Sequence, residues 1–227
     1  VSDSDAAIAP IVSSGRAAGL LCKLWDRHYG RIPDFLILEG PEAGGHLGFS
    51  RQDLDAPPSL SDLLREVLTA IAPFRDKAGR DIPVFVAGGV KNGADMARYL
   101  KEGAAGAQFA TRFIATAECD ASEGYKQRLL NASPGDITLV KSPVGMPGRA
   151  LRSPLIRRVE AGTQPPPERC VKCIVTCDGK NAPYCISMAL IAARNGDWEN
   201  GLFFCGAAGG EVNTLSTVPE QMVSMKV

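Results

Sequence analysis

Short apolar runs alternate with segments whose apolar residues recur every three to four positions, the arrangement that βαβ units and a parallel sheet produce. The first run, Ala7 to Val12, is followed by a helix expected over residues 15–28, with Leu20, Leu21, Leu24 and Trp25 on one face. The second, Phe35-Leu36-Ile37-Leu38, is unbroken, as expected of a strand covered on both faces. Residues 60–74 predict an amphipathic helix with Ser59 or Ser61 as its N-cap and Leu63, Leu64, Val67, Leu68 and Ile71 as its apolar stripe. A third strand, Pro83 to Ala87, ends in Gly88-Gly89 ahead of a helix over about residues 94–101, and a fourth, Ala107 to Phe109, runs into Ala110-Thr111-Arg112-Phe113. Four βα units in about 115 residues match half of an eight-stranded (β/α)8 barrel, and they also match a short open sheet.

After Phe113 the pattern changes. A helix is expected near residues 122–131, then a stretch over 138–149 punctuated by proline and glycine, then a helix-like segment over 155–160. Pro165-Pro166-Pro167 reads as a stiff linker. It separates an expected half-barrel domain, residues 1–162, from a cysteine-containing C-terminal extension, residues 163–227. That extension carries a cysteine cluster, a helix over about 184–194, the turn Asn195-Gly196-Asp197 and a glycine-rich run from Gly206 to Gly210.

With 45% hydrophobic and 22% charged residues, the chain has the profile of a globular α/β protein. Lys and Arg balance Asp and Glu at 25 each, so no global field favours nucleic acid or an anionic membrane, and any ligand site must be argued locally. No run approaches the ~18 to 20 apolar residues of a transmembrane helix, and the opening VSDSDAAIAP lacks the regions of a signal peptide; a cytoplasmic location is expected. The chain opens on Val1 and enters its first strand almost at once, so an N-terminal half of the barrel is expected to be missing.

Three segments carry candidate chemistry. Glu39-Gly40-Pro41-Glu42-Ala43-Gly44-Gly45-His46 leaves the C-terminal end of the second strand, where barrels place active sites. Paired glycines let backbone amides approach a ligand, and a histidine can act there as base, acid or hydrogen-bond donor; a glycine-rich turn with an incidental histidine has the same sequence. Gly88-Gly89 and Ala110-Thr111 follow the third and fourth strands. If the strands are five to eight of a barrel, these turns fall where phosphate sites are frequently built; otherwise they are two ordinary tight turns.

GPEAGGHLG, then PVFVAGGVKNGADMARYLKEGAAGAQFATRF, and later KSPVGMPGRALR resemble the corresponding blocks of the nitronate monooxygenase (2-nitropropane dioxygenase) family and of the related flavin-dependent enoyl-acyl-carrier-protein reductase II. The resemblance runs in register over roughly residues 8–160. It implies an FMN cofactor whose phosphate is held by the amides of Gly88, Gly89, Ala110 and Thr111, with Ala110 standing where the family usually has glycine. It implies further that His46 is the catalytic histidine, that Glu39, Gly44 and Gly45 contact the flavin, and that Val12 and Ser13 face its ring.

The cysteines at 170, 173, 177 and 185 have spacings that suit tetrahedral zinc or an iron–sulfur cluster; reduced thiols in an extension are the alternative. Arg149 to Arg158 reads as a solvated basic face. The activity expected is FMN-dependent oxidation of an alkyl nitronate or related carbon acid, with His46 as base or donor. NAD(P)H-dependent reduction of an enoyl thioester or quinone is the alternative enzyme, and a non-catalytic module built on an iron–sulfur cluster is the alternative of a different class. The expected partners are a small-molecule substrate and either the missing N-terminal half or a second copy of the chain.

Overall fold

The computed structural model describes residues 5–175 and 177–227. In chain order the elements are β1 (Ile11–Val12), α1 (Gly15–Tyr29), β2 (Leu36–Glu39), β3 (Gly45–His46), α2 (Arg51–Asp55), α3 (Leu60–Ala78), β4 (Val84–Ala87), α4 (Gly93–Lys101), β5 (Gly106–Gln108), α5 (Thr111–Ile114) and α6 (Glu123–Leu130). They continue with β6 (Ile137–Lys141), β7 (Pro147–Leu151), α7 (Pro154–Glu160), α8 (Ile186–Arg194) and α9 (Val218–Ser224). The chain packs as two units, one of residues 1–41, 52–109 and 224–227, the other of residues 42–51 and 110–223.

The first unit holds a parallel four-stranded sheet in the order β1-β2-β4-β5. Leu36 and Leu38 of β2 and Val84 and Val86 of β4 are buried, as is the stripe Leu63, Leu64, Val67 and Ile71 of α3. Each such side chain contributes about 1.5–3 kcal/mol through burial. The intervening residues Ile37 and Phe85 are only partly covered, so β2 and β4 are buried on one face, not on both as their unbroken apolar runs predict. Phe85 makes an edge contact with Phe35 at 5.4 Å. Its register partner on β5 is Gly106, where an added Cβ would lie 2.8 Å from the Phe85 ring.

Local capping fixes the helix starts. Ser14 Oγ accepts from Ala17 N at 3.1 Å, Ser59 Oγ from Asp62 N at 3.0 Å, and Asn92 Oδ1 from Asp95 N at 3.0 Å. The glycine after α1, Gly30, adopts φ 59°, the left-handed conformation that stops a helix cheaply. Gly15 lets α1 approach α3 closely, since a Cβ there would fall 2.7 Å from the Glu66 carbonyl oxygen.

The second unit is built around an antiparallel sheet, β3-β7-β6. The stretch over 138–149 punctuated by proline and glycine is mostly the hairpin β6–β7, with Gly145 at φ 86° in its turn. Two apolar clusters flank the sheet. Val140, Ala150, Leu155, Ile156, Tyr184 and Ile186 belong to one, so segments on both sides of the expected boundary at residue 162 share a core. Leu129, Leu151, Ala193 and Phe203 belong to the other. Among the described residues no helix is long and apolar enough to cross a membrane.

Candidate active site

In the first unit, β2 and β4 end side by side, with Glu39 in register with Ala87. Gly40 N donates to Ala87 O at 2.8 Å, and a Cβ on Gly40 would lie 2.8 Å from Gly88 O, so only glycine permits this approach. Val12, buried, and Ser13 stand at the corresponding end of β1. Gly88 and Gly89 follow β4 at φ 75° and 103°, conformations that L side chains rarely adopt.

The first turn of α4 is less free than its sequence suggests. Asp95 N is taken by Asn92, and the Asp95 carboxylate accepts from Lys91 N at 2.9 Å. A fixed negative charge there disfavours a phosphate on α4 itself.

In the second unit, Gly44-Gly45-His46 lies beside the hairpin, with Gly45 opposite Arg149 and His46 opposite Gly148. A Cβ on Gly44 would overlap the Cys205 carbonyl carbon and fall 2.5 Å from Gly206 N. Gly45 sits at φ 77° with open space where a Cβ would stand. Arg149, which read as part of a solvated face, is half-buried, and its Nη1 donates to Ala43 O at 2.8 Å. It thereby pins the loop that presents His46.

His46 is partly buried. Its Nε2 lies 2.8 Å from Ser142 Oγ, and its ring meets Phe204 edge-on at 5.2 Å. Burial holds its pKa below the ordinary histidine value, which favours the neutral ring near pH 7. Thr111 Oγ1 accepts from Gly206 N at 2.9 Å, so this hydroxyl ties two loops together and retains its own proton to donate. Ala110, exposed, precedes it.

Sequence reasoning missed Ser142, Arg149 and Phe204 as the neighbours of His46 and its loop. The first two lie within KSPVGMPGRALR, the block singled out only for its resemblance.

The cysteine expectation is not supported. Among the described residues no group of three or more His, Cys, Asp or Glu is placed to hold a metal. Cys170, Cys173, Cys177 and Cys185 do line one cavity. Cys173 Sγ is 3.4 Å from Ser187 Oγ, and all four thiols are free.

The sequence profile of the nitronate monooxygenase family matches residues 1–225. The chain belongs to the nitronate monooxygenase family, a family of oxidoreductases. It is 35% identical over 131 residues to (3aS,4S,5R,7aS)-5-hydroxy-7a-methyl-1-oxo-octahydro-1H-indene-4-carboxyl-CoA dehydrogenase of Mycobacterium tuberculosis, which covers 58% of this chain and 33% of the relative. It is 37% identical over 110 residues to the nitronate monooxygenase npaC of Metarhizium robertsii, covering 48% and 28%. The matched stretch thus spans about a third of each of these relatives.

The solved structure of FabK from Thermotoga maritima superposes with a TM-score of 0.70 at 25% identity, covering 96% of this chain and 59% of that one. Nitroalkane oxidase from Streptomyces ansochromogenes shares the fold, with a TM-score of 0.68 at 24% identity over 96% and 57% of the two chains.

Proposed function

We propose that this chain supplies the flavin-binding and histidine-bearing part of an FMN-dependent oxidoreductase of the nitronate monooxygenase type, acting on alkyl nitronates or their parent carbon acids. The observation that carries this reading is His46, a part-buried imidazole kept neutral by its surroundings and oriented by a buried serine hydroxyl, on the loop the family uses for its catalytic histidine. A neutral ring can accept a proton at one nitrogen while the other is held.

The Gly88–Gly89 turn fits a phosphate, since neither residue has a side chain to stand between its amide and the anion. The reading also assigns Ala110 and Thr111 to the phosphate, and Val12, Ser13, Glu39, Gly44 and Gly45 to the flavin. FMN, when bound, supplies the acceptor for the substrate's electron pair. The protein's share is to hold the reacting carbon near His46, take or hold the proton there, and keep the loop rigid through Arg149 and Ala43.

The architecture in this reading is strands five to eight of a (β/α)8 barrel. Four parallel neighbours in chain order, with Ile37 and Phe85 only partly covered, are what half a barrel provides. The unpaired outer edges of β1 and β5 are then covered by further strands or by a second copy of the chain.

One observation favours a second reading, reduction of a thioester-linked substrate with NAD(P)H: the 35%-identical relative from Mycobacterium tuberculosis is named for a carboxyl-CoA substrate. Steady-state assays separate the two. Oxygen-dependent consumption of an alkyl nitronate without nicotinamide supports the first, and NAD(P)H oxidation that requires an enoyl thioester supports the second.

A further inference from the structure

The sheet face that carries His46 has a gap, and one aromatic ring fills it. One edge of β7 pairs with β6; its other edge takes β3, with His46 opposite Gly148, and then Phe204, opposite Ala150. Side chains directly opposite one another share a face, and so do positions two apart on a strand, so His46 and Phe204 stand side by side on one face of the sheet. Gly148 has no side chain to separate them. A Cβ there would lie 3.1 Å from Phe204 Cε1 and 3.2 Å from Val140 Cγ2, so the phenyl ring leans over the glycine, and it meets the imidazole edge-on at 5.2 Å.

The backbone around Phe204 is tied down. Leu151 N donates to Phe203 O at 2.9 Å, Cys205 N to Arg149 O at 3.4 Å, and the phenol of Tyr125 to the Phe204 carbonyl at 2.6 Å. The ring itself lies at the margin of the cluster around Val140 and Ala150, only partly buried, so it is set against His46 and not sunk in the core.

We infer that Phe204 is a positioning residue for His46: its ring, seated over Gly148, fixes the plane of the imidazole and excludes water from one side of it, while Ser142 holds Nε2. The rest of this face brings no charge to the ring. Val140, Gly148 and Ala150 are apolar, whereas Arg149 and Lys141 alternate to the opposite face, and Glu42, exposed on the loop before β3, acts on Arg149. Tyr125, Tyr184 and Cys205 in the adjoining core are pushed up by burial and stay protonated. Burial is therefore what depresses the His46 pKa, and Phe204 is the side chain that supplies the apolar cover. The consequence for turnover rests on the proposed function: an imidazole that is solvated and able to turn is protonated at higher pH and takes a substrate proton less readily.

The test is an NMR pH titration of the histidine ring protons in the purified protein. The chain has two histidines; His46→Gln assigns them, and His28, in the other unit, is the internal reference. In Phe204→Ala the titration of His46 is expected to move up toward the ordinary value of about 6.5 while that of His28 stays, and the acid limb of kcat/KM to move up with it. Phe204→Leu, whose side chain still covers Gly148, is expected to titrate near the wild type. An unmoved His46 in a folded Phe204→Ala overturns the inference. So does a Phe204→Leu that shifts as far, since that would trace the effect to packing in general. If Phe204→Ala does not fold, Phe204→Val, which also stops short of the imidazole, decides in its place on the same terms. A His46 titration that moves as expected while the acid limb stays fixed would leave Phe204 in its role and remove the histidine from the proposed mechanism.

Discussion

Replacing Gly44 with alanine should cost more than any neighbouring glycine substitution, because the new methyl would overlap backbone atoms of Cys205 and Gly206. Backbone cannot turn aside as a side chain can. The 205–207 segment is itself fixed, with Gly206 N bonded to Thr111 Oγ1 at 2.9 Å and Ala207 N to Glu42 O at 2.9 Å. Overpacking typically costs 1–3 kcal/mol and each weakened hydrogen bond about 1 kcal/mol, so the expected loss is about 2–4 kcal/mol. For a chain of this size that lowers the melting temperature by roughly 5–15 °C. Gly45→Ala is the matched control. Its methyl enters open space, and only the φ of 77° opposes it, at a cost of about 1 kcal/mol. Thermal unfolding of both variants by circular dichroism checks the ranking. Gly44→Ala melting with the wild type, or above Gly45→Ala, would refute the close-packed loop on which the placement of His46 depends.

Other outcomes follow from the same geometry. His46→Ala should lower turnover by about 10² to 10⁴-fold while the flavin absorbance of the purified protein is unchanged; an unaltered rate removes His46 from the chemistry. Because burial depresses the His46 pKa, the unfolded chain binds its proton more readily. The stability this neutral ring confers is therefore complete above about pH 6.5 and lost as pH falls through the folded-state value. The acid limb of kcat/KM for base catalysis should accordingly lie below about pH 6.5, and a limb at or above it would contradict the burial argument. Gly89→Val forces a β-branched residue into φ 103° and should weaken FMN binding, read by flavin titration; equal affinity would place the phosphate elsewhere.

The βα units were legible because local rules determine them. The α3 stripe from Leu63 to Ile71, the cap at Ser59, and the glycine pairs after β2 and β4 all depend on residues within a few positions of one another. The β6–β7 hairpin was not legible. Pro147 and Gly148 break its alternation, and its third strand, β3, comes from residues about a hundred positions earlier. The same distance hides the partners of the candidate residues: Ser142 lies 96 positions from His46, and Gly206 lies 95 from Thr111. Arg149 sits among arginines that do face solvent, and only the fold reveals that its guanidinium meets the Ala43 carbonyl. The cysteine spacing suggested a metal site, but among the described residues no group of three or more His, Cys, Asp or Glu is placed to hold one.

The central claim is that this chain works with a flavin on a nitronate-type substrate, and anaerobic addition of a primary alkyl nitronate to the purified holoprotein tests it most directly. The account predicts a bound FMN whose absorbance bleaches as substrate is added, in proportion to substrate and without nicotinamide. A protein that carries no flavin, or whose flavin stays oxidised in excess nitronate, would contradict it.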